Sequence, residues 1–259
     1  MYVSRELTDN ISYLNEKFKD CGDLVTKAFV SRGEKAYSFY IAYFDDLVKR
    51  ELIESNVIHG LMVDVYLNGS GENGVSDFMH SALMTADYTE ERSLDEGING
   101  ILSGNTLLLA NGYDRAVVIS SKSVPSRGVN KPETEVVVQG PQDSFSESIR
   151  TNTVLIRRRI RDSALKCIQL KTGRKTQTDT AVMYIEGTAD QKIVNELLHR
   201  LKSIDSDSIL DSGYIEQYIQ ERSLSPFPQV QLTERPDKAA AELIEGRIAV
   251  VVDNSPFVI

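Results

Sequence analysis

The sequence contains no tryptophan, and its cysteine is limited to Cys21 and Cys167. Those two lie far apart and neither belongs to a C-x-x-C pair, so free thiols are expected rather than a disulfide framework or a thiolate metal site. Histidine is scarce as well. His59, His80 and His199 form no HxxH or HExxH pattern, which removes the usual zinc signatures. G-x-S-x-G is absent, and no Ser/His/Asp order stands out. No stretch of about 18 apolar residues occurs, so no span is expected to cross a bilayer. The opening MYVSRELTDN is polar and lacks the apolar run of a signal peptide. Positive charge is in deficit. Lys and Arg number 29 against 38 Asp and Glu, giving a net charge of -9, which argues against a general nucleic-acid binder.

What remains is a hydrophobic content of 41% over 259 residues, enough for two compact domains or one large one. Leu7, Ile11, Leu14 and Phe18 recur at helical spacing and predict a first helix over 5–19. Two strands, Leu24–Ser31 and Lys35–Tyr43, are expected about the turn Arg32-Gly33-Glu34. A helix over Asp45–Ile58 should turn Leu47, Leu52 and Ile53 inward. Gly69-Ser70-Gly71-Glu72-Asn73-Gly74 is formally G-x-G-x-x-G. A Glu inside a pyrophosphate loop opposes the ligand's charge, and no second strand ending in an acid follows, so a surface loop is expected. Ser93–Gly104 predicts a helix. Thr106–Ala110 and Arg115–Ser120 predict a hairpin about Asn111-Gly112-Tyr113-Asp114. The polar run 121–131 reads as a linker, and a strand over 134–139 is expected to return beside Arg115–Ser120.

Near the middle, Gly140-Pro141 marks a turn, and Ser144 and Glu147 stand at capping-box spacing. Ile149, Thr153, Ile156 and Ile160 then fall on one helix face, which predicts the buried stripe of a helix running to Ile160. Arg150, Arg157, Arg158, Arg159 and Arg161 load that helix with guanidinium groups. Such groups suit phosphates, acidic lipid heads or carboxylates. At 100° per residue Arg150, Arg157 and Arg161 share one edge, Arg159 takes the other, and Arg158 points away from the stripe. Arginines on three sides suit a protein partner better than a nucleic-acid groove.

Further on, Ala164–Lys171 and Thr180–Glu186 predict strands. Asp190–Ile204 predicts an amphipathic helix with Ile193, Val194, Leu197, Leu198 and Leu201 inward. Asp211–Gln220 and 236–245 predict two more helices, the latter opened by Pro236 and stopped by Gly246. Arg247–Asp253 predicts a strand. Asp205, Asp207 and Asp211 lack the Gly and terminal Glu of a calcium loop, so capping is the expected use. The pairs Asp45-Asp46 and Glu90-Glu91 read as solvated. The pattern as a whole implies a mixed α/β fold of two lobes, 1–143 and 144–259, each a small sheet with flanking helices.

From Lys131 onward the chain carries QGPQDSFSESIRTNTVLIRRRI, Tyr184-Ile185-Glu186-Gly187 and Leu210-Asp211-Ser212-Gly213-Tyr214-Ile215. Then come Ser225-Pro226-Phe227-Pro228-Gln229, Thr233-Glu234-Arg235-Pro236-Asp237-Lys238 and Glu245-Gly246-Arg247-Ile248-Ala249-Val250-Val251-Val252-Asp253. On these motifs the chain resembles the spore germination receptor A-subunit family. The turn departs from the family at Gln139, usually Arg, and at Ser144, often Gly. The first departure removes the guanidinium that a phosphate-binding turn would use. The resemblance implies an extramembrane N-terminal domain acting with B and C subunits, and with further A subunits as a homo-oligomer, in the spore inner membrane. This domain would lie on the cytoplasmic, spore-core side. It implies a part in nutrient sensing, receptor assembly and coupling to ion release; the lack of any His, Cys or carboxylate cluster at workable spacing adds the expectation of no enzymatic activity, cofactor or metal. An alternative expectation is a small nutrient ligand bound in the cleft between the lobes. The binding or coupling residues expected are Gln139, Gly140, Pro141, Arg150, Asn152, Arg157, Arg158 and Arg159.

Overall fold

The computed structural model describes the chain outside residues 32–35, 64–74, 84–86, 124–131, 133 and 221–227. By contact the chain divides into two compact units, Met1–Lys19 with Leu24–Val124 and Asp20–Asp23 with Pro125–Ile259. Residues 125–143, expected on the near side of a 143/144 boundary, group with the second unit. Each unit is a sheet flanked by helices, so the mixed α/β class holds.

In the first unit, helix α1 (Leu7–Lys17) leads to the antiparallel pair β1 (Leu24–Val30) and β2 (Ser38–Phe44). Strands β3 (Tyr88–Glu91), β4 (Thr106–Ala110) and β5 (Ala116–Ile119) complete the order β1-β2-β4-β5-β3. Every residue of β4 and β5 is buried, because helices cover both faces of the sheet. Helices α2 (Arg50–Leu52), a π-helical stretch Ile53–Ile58, α3 (His59–Val63) and α4 (Val75–Ala82) supply one cover. Ile53, Val57, Leu61 and Met79 there pack with Phe39, Ile41, Leu108 and Val117. Helix α5 (Leu94–Leu102) lies against β4 and β5 so closely that a Cβ on Gly100 would meet Val118 Cγ1 at 2.6 Å; only glycine permits this approach.

In the second unit, helix α6 (Ile149–Arg157) precedes β6 (Leu165–Thr172) and β7 (Thr178–Ile185). Helices α7 (Gln191–Ser203), α8 (Ser212–Ile219) and α9 (Pro236–Ile244) follow, and then β8 (Ala249–Val252); the sheet order is β6-β7-β8. Leu155 and Ile156 of α6 and Leu243 of α9 pack with Met183, Ile185 and Val251. Leu201, Ile215 and Ile219 pack with Val182, Val250 and Val252.

The second unit is built on the plan of the first, displaced by 142 positions. The Val3 N–H donates to Arg92 O at 2.9 Å, and Phe145 N–H to Glu234 O at 2.8 Å. The Gly112 N–H donates to Arg5 O at 2.8 Å, and Asn254 N–H to Glu147 O at 2.7 Å. The first helical amide of α1, Leu7, is held by Asn111 Oδ1 at 3.1 Å; that of α6, Ile149, is held by Asp253 Oδ1 at 3.1 Å. Left-handed backbone recurs at Gly104 (φ 88) and Gly246 (φ 93), and at Gly112 (φ 84) and Asn254 (φ 64). Helix α5 corresponds to α9, and β4 to β8. The hairpin follows with a displacement of 141: Leu24 stands opposite Phe44, and Leu165 opposite Ile185. Even the partial strand at the end of the chain conforms. Val258 exchanges hydrogen bonds with Thr233, and Ile259 with Val250, as Ala116 pairs with Glu91 and Val117 with Leu108 in the first unit.

Several expectations need correction. No strand forms over 134–139; Val136 and Val138 are 75% and 97% exposed, and the two neighbours of β5 are β4 and β3. The β-branched run misled because exposed valines have no apolar face to bury, so propensity alone did not make a strand. Helix α6 starts later than the Ser144 capping box implied and stops before Ile160, although Thr153, Ile156 and Ile160 are buried and Ile149 is half-buried. Ile193 of α7 is 60% exposed rather than inward. The glycine loop 69–74, the turn 32–34 and most of the run 121–131 lie outside the described residues.

Candidate functional site

Helix α6 begins at Ser148, not at Ser144. Ser148 Oγ accepts from Thr151 N–H at 3.4 Å, which is an N-cap. Ser144 is instead buried, its hydroxyl donating to Glu234 O at 3.1 Å and Phe145 O at 3.2 Å. Asn152, one of the expected coupling residues, is wholly buried. Its Oδ1 accepts from Ser146 N–H at 2.7 Å, and its Nδ2 donates to Ser146 O at 2.6 Å and Ser255 O at 3.4 Å. In α1, Asn10 holds Ser4 in the same two-way grip, at 2.9 and 2.7 Å. Asn152 is therefore a folding pin common to both units. Comparing the sequence with itself at fixed displacement would have paired Ser4/Asn10 with Ser146/Asn152.

The arginines separate into two sets. Arg157, expected on a helix edge, is only 2% exposed. Its Nε and Nη2 form a fork on the Asp23 carboxylate, with Nη2 to Oδ1 at 2.8 Å, and its Nη1 donates to Leu165 O at 3.1 Å. Burial opposes the Arg157 charge, but the charge and hydrogen bonds of Asp23 outweigh it and hold the guanidinium pKa above its ordinary value. Asp23 belongs to the short segment 20–23, which runs beside β6: Cys167 N–H donates to Asp20 O at 2.9 Å, and Gly22 N–H to Cys167 O at 2.8 Å. Cys21 and Cys167 are both free and buried, and burial pushes both thiols up, so they are held as neutral thiols rather than nucleophiles. Arg159 is half-buried. Its Nη2 reaches both Asp143 oxygens at 2.7 Å, and its Nη1 reaches Leu155 O at 2.8 Å, fixing the turn that ends the helix. Arg150, Arg158 and Arg161 form the exposed set, and Gln139, Gly140 and Pro141 are also exposed. Gly140 has φ 130, a value that favours glycine.

The motif Thr233-Glu234-Arg235-Pro236-Asp237-Lys238 gains a role that its letters did not suggest. Glu234 Oε1 accepts from Thr134 N–H at 2.5 Å and Glu135 N–H at 2.8 Å. Glu135 Oε2 returns the arrangement, accepting from Thr233 Oγ1 at 2.5 Å and Glu234 N–H at 3.2 Å, while Lys238 Nζ reaches Oε1 at 2.6 Å. Burial alone would raise the Glu135 pKa, but Lys238 and Thr233 outweigh it and hold it low. This knot fixes 134–135 without a strand. Glu90, expected to be solvated, is also engaged. It takes Tyr113 Oη at 2.7 Å, His80 Nε2 at 2.9 Å and Arg115 Nη1 at 3.2 Å. Burial and that hydrogen bond push the Tyr113 pKa up to about 12. Asp211 caps α8 through Gly213 N–H at 2.8 Å, whereas Asp205 and Asp207 pair with Arg174. Among the described residues no group of three His, Cys, Asp or Glu is placed to share a metal ion, and no helix is long and apolar enough to cross a membrane.

The geometry thus leaves Arg150 on α6, and Arg158 and Arg161 just past its end, at the surface, and comparison with known proteins gives them a setting. The family model described as Bacillus/Clostridium GerA spore germination protein matches residues 12–259. The chain belongs to the GerA family. Membership extends well ahead of Lys131, where the motif resemblance became dense. Spore germination protein KA of Bacillus subtilis is 34% identical over 99% of this chain and 47% of its own length. The membrane protein YfkQ of the same organism is 35% identical over 99% of this chain and 49% of its own length. This chain therefore spans about half the length of the curated relatives it matches. Among solved structures, the N-terminal domain of the A subunit of the Bacillus megaterium spore germinant receptor GerK3 matches all of this chain and 95% of that one. Its TM-score is 0.76 at 32% identity. The chain thus shares its fold with a germinant receptor A-subunit N-terminal domain and belongs to a family of spore germination proteins.

Proposed function

We propose that this chain is the extramembrane N-terminal domain of a germinant receptor A subunit, acting in receptor assembly and in coupling nutrient sensing to ion release. The observation that carries this reading is the division of the α6 arginines. Arg157 and Arg159 are spent on internal carboxylates, while Arg158 and Arg161 lie exposed where a partner's carboxylates could take them. The partners are the B and C subunits and further A subunits, and the setting is the spore inner membrane with this domain on the core side. The match along its whole length to an A-subunit N-terminal domain supports this assignment. The test replaces Arg158 and Arg161 with Ala in the full-length protein in spores. Germination should slow while the melting temperature of the purified domain stays unchanged. Germination at the native rate in the double variant contradicts the coupling role.

A further inference from the structure

A groove of about 680 Å³ opens in the second unit, lined by Ile193, Leu197, Val230, Ala239, Ile248 and Ile259 among others. Its size and apolar lining would suit a small nutrient. The repeat within the chain gives it a different meaning. In the first unit β5 lies between β4 and β3, with Val118 opposite Leu107 and Thr89, and Ile119 opposite Thr106 and Tyr88. The corresponding positions in the second unit are Ala249 and Gln231, then Ile248 and Val230, and all four line the groove. Val258 and Ile259 already occupy the first two places of that strand, hydrogen-bonded to Thr233 on one side and Val250 on the other. In the first unit the matching place between β4 and β3 takes one strand, β5. Sheet neighbours stand about 4.8 Å apart, so a chain between Ile248 and Val230 satisfies both edges at once.

We propose that this groove is a strand slot, not a nutrient pocket, and that its occupant is the polypeptide continuing past Ile259. Three observations favour that occupant over a separate peptide or a small molecule. The strand is already begun in register by Val258 and Ile259. The first unit fills the same places with its own Val118 and Ile119. The curated relatives are about twice as long as this chain. The alternation of hydrogen-bonded pairs sets which amides the added residues would engage. Val250 and Ile259 form one such pair and Val258 and Thr233 another, so the next bonds fall on the Ile248 N–H and the Gln231 N–H. Helix α9 carries Glu242, bridged to Arg247 at 2.9 Å, where α5 carries Gly100. The slot is thus rimmed by an ion pair at the point where the first unit closes on glycine.

The test compares three forms of this chain by backbone amide hydrogen exchange. One ends at Ile259, one is extended by Val-Ile-Ser, matching positions 118–120, and one is extended by Gly-Ser-Gly. The Val-Ile-Ser form should slow exchange at Ile248 and Gln231 by about tenfold or more relative to both others, the effect of one gained hydrogen bond at each amide. A panel of amino acids and sugars added to the chain ending at Ile259 should leave both amides unchanged. Equal exchange at these amides in all three forms overturns the slot. Protection by a member of the nutrient panel, without any extension, returns the groove to a small ligand.

Discussion

Helices α1 and α6 start alike and finish differently. Both are pinned at the fourth helical residue by a buried Asn, Asn10 and Asn152, that grips a Ser six residues back. Both donate their first amide to a side-chain oxygen just past a strand, Asn111 after β4 and Asp253 after β8. Both bury an apolar residue one turn on, Leu14 and Ile156. Their outer positions then diverge: Thr8, Asn15, Glu16 and Lys17 of α1 stand where α6 has Arg150, Arg157, Arg158 and Arg159. What the two copies share serves to fold each unit. What the second copy alone carries, the arginines, is where a particular function has room to reside. One of those four has itself become structural, because Asp23 draws Arg157 into the interior.

That divergence gives the largest expected effect. Arg157→Ala leaves the Asp23 carboxylate buried without its cation and should cost about 3–5 kcal/mol. The matching change Asn15→Ala, at an exposed position, should stay within about 0.5 kcal/mol. Equal losses in denaturant unfolding would mean that Arg157 is no more structural than its counterpart. Next in size, Leu14→Ala and Ile156→Ala should each open a cavity and cost about 2–5 kcal/mol. A silent result at either would break the equivalence of the two helix faces. Asn10→Ala and Asn152→Ala should each cost about 1–3 kcal/mol, because each strands a buried peptide group. At the small end, Arg158→Ala should leave the melting temperature within a degree or so, since an exposed arginine holds nothing in the fold.

These helices also show how far the sequence could be read. Turn and breaker residues located α9 and the β4–β5 hairpin. Alternation and 3.6-residue periods located α1, α7 and the β1–β2 pair, because burial on a face leaves a pattern in the letters. The buried stripe of α6 was legible for the same reason. Its cap was not. Ser144 and Ser148 both precede a helical run, and only the reach of Asp253 to Ile149 selects the later start. The fate of Arg157 was hidden too. Its partner lies 134 positions away, in a segment that helical periodicity does not mark. Val136 and Val138 show the opposite error, a strand-like triplet left exposed beside residues 134–135, which the Glu135 and Glu234 carboxylates hold instead of a ladder. The duplication itself was present in the spacing of Ser, Asn and Gly, although few residues are identical between the copies.

The central claim is that both units are held by the same pin, and amide exchange at Ser4 and Ser146 tests it most directly. Each N–H is donated to an Asn side chain, at 2.9 and 2.7 Å. Asn10→Ala should speed exchange at Ser4 by about tenfold and leave Ser146 as it was; Asn152→Ala should do the reverse. If either amide keeps its native rate once its own Asn is gone, the pin does not hold that unit, and the reading of Asn152 as a shared folding residue is contradicted.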